Sequence, residues 1–205
     1  MSDYKVGIFG LGAMGFGMAG ALRRAGLMTH GFDINTDAVA NFKAEGGADG
    51  TLDEVASTLD AAVVVVVNAA QTEAVLFGAN GIATKLAKGT AVISCATVAP
   101  DFARDMARRC EELGLLYLDA PVSGGTIKAG EGTLSILAAG APAAAAAGRS
   151  AALGRARPPD RRSACAARRT PAPAARRPRR AGRPRSAGSA DRGRSRRRGR
   201  RCRPG

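Results

Sequence analysis

The stretch from Lys5 to Leu22, KVGIFGLGAMGFGMAGAL, constrains this chain more than any other. An apolar run, Val6-Gly7-Ile8-Phe9, leads directly into Gly10-Leu11-Gly12-Ala13-Met14-Gly15. Small and apolar residues then continue at helical spacing through Ala19, Leu22 and Ala25 to Gly26. Strand, glycine turn and helix in that order form the setting in which GxGxxG binds a dinucleotide. The three glycines do different things. Gly10 makes the tight turn, Gly12 lets the backbone approach a pyrophosphate, and Gly15 lets the helix pack closely on the strand. The helix N-terminus adds free N–H groups and a partial positive charge for the phosphates. The plainer alternative is a glycine turn that binds nothing, and both flanks speak against it.

A second strand is expected over Met28-Thr29-His30-Gly31-Phe32-Asp33, ending in an acid 18 residues beyond Gly15. That spacing is near the ~20 residues expected for the carboxylate that hydrogen-bonds an adenosine ribose. A carboxylate there repels a 2′-phosphate, and no Arg occurs between Arg24 and Arg104 to receive one. The sequence therefore favours NAD over NADP. Asp33 could instead simply open the next turn, although Asn35 or Asp37 could cap the following helix without it.

The formal net charge of +14 averages two unlike segments. Residues 1–139 carry 10 basic and 15 acidic side chains, whereas residues 140–205 carry 21 Arg, no Lys, and only Asp160 and Asp191 as acids. Cys95, Cys110, Cys165 and Cys202 form no CxxC pair and suit a reducing compartment. His30, the sole histidine, lies within an expected strand, so a metal site or a Ser-His-Asp triad has almost no material. No signal-peptide pattern opens the chain, and the run Ala61 to Val67 is too short to span a bilayer. The expectation is a cytoplasmic protein without a membrane partner.

Short helices are expected over Asp37–Ala44 and Leu52–Leu59, and the unbroken Ala62–Val67 run reads as a parallel strand buried on both faces. A helix over Gln71–Phe77, a strand over Thr90–Cys95, a helix over Asp101–Leu113 and a strand over Leu115–Leu118 follow. One more strand is expected over Thr133–Ala138. Strands alternating with helices give an α/β fold, a Rossmann-type doubly wound parallel sheet. Ligands bind such sheets at the carboxyl ends of the strands. The segments there are Gly10–Gly15, Asp33–Asn35, Val67–Gln71, Ala96–Pro100 and Asp119–Thr126.

Those segments together resemble the β-hydroxyacid dehydrogenase family, which includes 3-hydroxyisobutyrate dehydrogenases, tartronate semialdehyde reductases and the 6-phosphogluconate dehydrogenase cofactor domain. The carriers are GLGAMG at 10–15 and Asp119-Ala120-Pro121-Val122-Ser123-Gly124-Gly125. Gly15-Phe16-Gly17, Val66-Val67-Asn68-Ala69-Ala70-Gln71 and Val75-Leu76-Phe77-Gly78 resemble the L-threonate dehydrogenase branch. The likeness runs from residue 3 to about 139.

The resemblance implies that Gly10, Leu11, Gly12, Ala13, Met14, Gly15, Asp33, Ile34 and Asn35 hold the adenine half of NAD. Val66 and Val67 stand where relatives have a cofactor-lining Leu-Pro pair. Thr97 matches the Thr of a Ser-Thr-x-x-Pro segment near the nicotinamide, with Cys95-Ala96 in place of the usual residues before it. Ser123, Gly124 and Gly125 match the loop that receives the substrate carboxylate; a simple turn at Pro121 and Gly124 is the alternative. A small hydroxy acid is the implied substrate. The family's catalytic Lys lies in an all-helical second domain, and no residue here matches it: the last Lys is Lys128, read as a solvated loop side chain.

From Gly140 onward, 55 of 66 residues are Arg, Ala, Gly or Pro, and Leu153 is the one large aliphatic. Such a segment buries too little apolar surface to offset its chain entropy, so a disordered basic tail is expected over 140–205. All four residue types have GC-only leading codon bases, which suggests a high-GC frame read out of register and a truncated, impaired dehydrogenase. Family oligomerisation would then be lost as well. The alternative is a non-enzymatic NAD-binding domain whose Arg-rich arm meets nucleic acid through nonspecific charge, although no aromatic interleaves the arginines for base stacking.

Overall fold

The glycine turn, the acid after the second strand and the later strand ends all come to one edge of a single six-stranded sheet. The computed structural model describes residues 2–153. In chain order these form β1 Ser2–Phe9, α1 Ala13–Arg24, β2 Leu27–Phe32, α2 Thr36–Ala44, α3 Leu52–Val55 with a 3-10 turn Ala56–Thr58, β3 Ala61–Val64 and α4 Ala69–Phe77. They continue as β4 Ala91–Ser94, α5 Pro100–Glu112, β5 Leu116–Asp119, β6 Val122–Ser123, α6 Gly125–Glu131, β7 Ser135–Ile136, β8 Ala139–Gly140 and α7 Pro142–Leu153.

The large sheet has the order β2-β1-β3-β4-β5-β8, and β6 and β7 form a separate antiparallel pair. β1 to β5 run parallel, as expected, while β8 joins β5 antiparallel. The β-branched and small residues of the central strands alternate between two cores. Val6, Ile8, Ala61, Val63, Ala91, Ile93 and Leu118 face one core, closed by Ala19 of α1, Phe42 of α2, and Ala144 and Ala147 of α7. Phe9, Ala62, Val64, Val92 and Tyr117 face the other, closed by Leu76 of α4 with Met106 and Cys110 of α5. Burial on both faces is why these strands read as continuous apolar runs rather than alternating ones.

Four sequence expectations are corrected. The strand expected over Ala62–Val67 ends at Val64, because the chain must turn past the carboxyl end of β1; Val65 N–H still donates to Phe9 O at 2.8 Å, and Val67 is 82% exposed. The strand expected over Thr133–Ala138 shrinks to Ser135–Ile136 as β7, paired with β6, and a separate strand β8 follows at Ala139–Gly140, paired with β5. The helix expected over Leu52–Leu59 becomes 3-10 after Val55.

The fourth correction concerns residue 140. The stretch up to Leu153, expected to begin a disordered tail, contains β8 and α7. Alanine has the highest helix propensity, and the run's small side chains allow close packing. Ala144 and Ala147 are buried, and a Cβ on Gly148 would lie 2.6 Å from Leu118 Cδ2. The remainder of the expected tail, 154–205, lies outside the described residues.

His30, 4% exposed on β2, has an Nδ1 without a hydrogen-bond partner. Burial pushes its pKa below the ordinary 6.5, helped by Lys5 and Lys43, while the neighbouring backbone and charge of Asp49 act the other way. The unfolded chain therefore binds the proton more readily than the folded one. This stability is fully present above pH ~6.5 and lost as pH falls from there toward the lowered folded value. Urea melts at pH 7.5 and 5.0 should show that loss, and His30→Gln should flatten it. An equal pH slope in the variant would refute the assignment to His30.

Candidate functional site

The parallel order reverses direction between β1 and β3, so a crevice opens at the carboxyl ends of those strands, where open α/β sheets bind ligands. The Gly10–Gly15 turn fills the entry to α1. Gly10 has φ +103°, a region that favours glycine, and its N–H donates to Phe32 O at 2.8 Å. A Cβ on Gly10 would lie 2.1 Å from Val65 O. A Cβ on Gly15 would lie 1.8 Å from Gly10 O, so α1 can approach β1 this closely only with a hydrogen there.

Gly12 differs from both. It is exposed, has φ −62°, and a Cβ on it would meet no atom within 4 Å. Space above the backbone is what a bulky phosphate group requires. As the N-cap of α1, Gly12 supplies no side-chain oxygen, and the first turn holds no acid. The first hydrogen bond closing the helix runs from Phe16 N–H to Gly12 O at 2.9 Å. The N–H groups of Ala13, Met14 and Gly15 thus lie in the turn that has no intrahelical acceptors, at the positive end of the helix dipole. By contrast α2 and α4 are capped by Asn35 and Asn68, and α3 by a Thr51–Glu54 capping box.

Asp33, the residue after β2, reaches back across the crevice. Its Oδ2 accepts Leu11 N–H and its Oδ1 accepts Asn35 N–H at 2.8 Å. Asn35 Oδ1 in turn accepts from Asp37 N–H at 3.0 Å and Ala38 N–H at 3.4 Å, starting α2. The turn-opening reading of Asp33 is therefore realised, and its carboxylate also sits against the glycine loop. Ile34 is fully exposed beside it. Across the crevice, Val66 is half-buried, and Val67 N–H donates to Gln71 Oε1 at 2.9 Å, which fixes the exit from β3 into α4.

Gly10–Gly15, Asp33–Asn35 and Val65–Val67 are thus joined by direct contacts. Thr97 is exposed on the loop after β4, next to buried Ala96 and Cys95. Burial, with the Asp119 charge, pushes the Cys95 thiol up to about 12, so it stays protonated and unreactive at neutral pH. Ser123, Gly124 and Gly125 are exposed where β6 enters α6; Gly124 has φ +138° and Gly125 φ +72°. α6 is held against α1 at a contact that sequence reasoning missed. A Cβ on Gly17 would lie 2.9 Å from Gly130 N, and Arg24 Nη2 donates to Gly130 O. The one signal in the sequence was a further glycine, two residues past the GxGxxG motif.

The model of the NAD-binding domain of 6-phosphogluconate dehydrogenase matches residues 5–152. The chain belongs to that family. Among curated relatives, this NAD-binding domain is 47% identical over 137 residues to L-threonate dehydrogenase of Cupriavidus necator, covering 66% of the chain and 46% of the relative. It is 40% identical over 136 residues to 2-hydroxy-3-oxopropionate reductase of Escherichia coli, covering 66% and 47%. The crystal structure of 3-hydroxyisobutyrate dehydrogenase from Salmonella typhimurium superposes with a TM-score of 0.68 at 44% identity, covering 74% of this chain and 53% of that one. The chain spans about half the length of the curated relatives it matches. The match runs 13 residues past the limit of 139 read from the sequence, to within one residue of the end of α7. No helix among the described residues is long and apolar enough to cross a membrane.

The residues present fit a dinucleotide: an open, uncapped helix start at Gly12, close approaches only hydrogen allows at Gly10 and Gly15, and a carboxylate facing the loop. The glycines should separate by role. Gly12→Ala meets no atom and should keep thermal stability within about 1 kcal/mol of the parent, while weakening NADH binding at least tenfold in a fluorescence titration. Gly15→Ala must displace α1 and should cost about 1–3 kcal/mol of stability. A Gly12→Ala protein that bound NADH normally would remove the phosphate from this loop.

Proposed function

We propose that this domain binds NAD in preference to NADP and belongs to a dehydrogenase of small hydroxy acids of the L-threonate type. The observation that carries the reading is the Asp33 carboxylate set against the Gly10–Gly15 loop. In this reading the N–H groups of the first turn of α1 hold the pyrophosphate and Asp33 accepts the ribose hydroxyls, as a carboxylate with free lone pairs can. In this reading Ile34 and Asn35 lie on the adenine side, Val66 and Val67 line the cofactor, and Thr97 lies toward the nicotinamide. The bound cofactor supplies a hydride acceptor for the carbon bearing the hydroxyl. Ser123, Gly124 and Gly125 offer a hydroxyl and backbone N–H groups to the substrate carboxylate. The high identity to L-threonate dehydrogenases over this domain supports the substrate class.

Oxidation of a hydroxyl needs a proton transfer, and among the described residues none stands in the place of the family's catalytic Lys. Lys128 is exposed, as expected, but it lies on helix α6 rather than in a loop. Positioned acid–base groups contribute ~10²–10⁴-fold to such a step, and the family places its Lys in a second domain that this sequence does not match. We infer that the chain as written turns over little or no substrate. The composition of 140–205, together with curated identity extending over only 134–142 residues, supports an out-of-frame origin for the terminal segment. The order of residues 140–153 then reflects how readily an Ala-rich run packs as a helix.

Two measurements test this. NADH should bind the 205-residue chain at least tenfold more tightly than NADPH by calorimetry, and the reverse preference would refute the cofactor assignment. Absorbance at 340 nm with NAD and L-threonate should stay within tenfold of the uncatalysed rate. Turnover comparable to that of a full-length L-threonate dehydrogenase would overturn both the inactivity and the out-of-frame reading.

A further inference from the structure

One carboxylate ties three elements together at the mouth of the crevice. Asp33 Oδ2 accepts the N–H of Leu11, in the middle of the Gly10-Leu11-Gly12 turn, and Oδ1 accepts the N–H of Asn35 at 2.8 Å, which starts α2. Leu11 is 4% exposed, and its side chain packs beside Gly31, where a Cβ would lie 3.0 Å from Leu11 Cδ1. The turn around it is conformationally permissive: glycine stands on either side, and Gly10 holds a positive φ. A half-buried N–H in such a turn costs free energy when its acceptor is lost. Each carboxylate oxygen has a second lone pair, so ribose hydroxyls can add to Asp33 without displacing either N–H.

We propose that Asp33 is a positioning residue as well as a cofactor ligand: its carboxylate orders the glycine loop before any cofactor binds, so that cofactor discrimination and loop order cannot be changed separately at this position. The first half stands on the cofactor-free geometry alone, and the second rests on the NAD reading above. If Asp33 only repelled a 2′-phosphate, a small neutral residue would relieve that repulsion and tighten NADPH. If it also holds Leu11, the same substitution releases the loop whose N–H groups must meet the pyrophosphate, and NADPH gains little.

The test uses the 205-residue chain and its Asp33→Ala and Asp33→Asn variants, with Asn35→Ala as a control that removes the α2 cap and leaves the Leu11 acceptor in place. Amide hydrogen exchange is measured without cofactor, and NADH and NADPH are titrated separately. In Asp33→Ala, exchange at Leu11 should accelerate at least tenfold, NADH should weaken at least tenfold, and NADPH should bind within threefold of the parent. Asp33→Asn keeps one acceptor oxygen and removes the charge, so its Leu11 exchange should fall between parent and Asp33→Ala. Asn35→Ala should leave Leu11 exchange unchanged.

Leu11 exchange in both Asp33 variants within twofold of the parent would overturn the ordering role, whatever the cofactors do. NADPH tightened tenfold or more by Asp33→Ala would overturn the coupling. If Asp33→Ala fails to fold, the Asp33→Asn exchange decides alone. Failure of the parent to bind NADH would refute the proposed function and leave the exchange result standing by itself.

Discussion

Atoms that are not there decide the geometry of this domain. A methyl group at Gly15 would stand 1.8 Å from Gly10 O, and one at Gly10 would stand 2.1 Å from Val65 O. Strand β1, helix α1 and the exit from β3 can therefore converge at one point only because these positions carry hydrogen. From that point the rest follows in order. Gly10 N–H is free to bond Phe32 O, which sets where β2 stops. The end of β2 places Asp33 against the loop, and Asp33 in turn places Asn35 to begin α2. A short covalent stretch thus helps fix where five elements, β1, α1, β2, α2 and β3, begin or end.

The two cores behind that point are built differently. The face closed by α4 and α5 uses bulky residues such as Leu76, Ile82, Met106 and Tyr117. The other face is closed in part by small ones, Ala19, Ala144 and Ala147, with Phe42 as its largest fully buried side chain. Phe42 stacks edge-on to Phe16 with ring centroids 5.9 Å apart, and Cβ atoms on Gly31 and Gly47 would both come within 2.6 Å of it. Small residues bring helix backbones close to the sheet, and the same economy recurs where Gly17 lets α6 meet α1. In each case the loop carrying the candidate ligand groups sits at the end of a helix whose axis is set by glycine or alanine contacts.

Much of this was legible in the residues. β-branched runs at 61–64 and 91–94 mark buried parallel strands because both faces are covered, and Gly10, Gly12 and Gly15 announce their roles by spacing. Asp33 stands out by its distance from Gly15, and the structure shows it opening the next turn while also contacting the glycine loop. What spacing could not reveal was long-range. Val65 to Val67 carry strand-forming residues yet leave the sheet, because the crevice needs an exit there and β propensity yields to that context. The contact of Gly17 with Gly130 joins residues 113 apart, and nothing local encodes it. Residues 140–153 escaped for a different reason: composition alone treats alanine as filler, whereas an alanine run can form a helix and pack where space is narrow.

That last helix has a practical meaning. The change in amino-acid usage begins at Gly140, but the apolar face of the sheet is not sealed until α7 has laid Ala144, Ala147 and Gly148 across Leu118 and its neighbours. A proteolytic nick between β8 and α7 would uncover a strip of aliphatic surface along β4 and β5. Such strips are where chains stick to one another. The seam between the two compositions therefore falls inside the folded unit, and the aliphatic strip along β4 and β5 is covered by the first turns of a segment whose remaining sequence looks nothing like the domain.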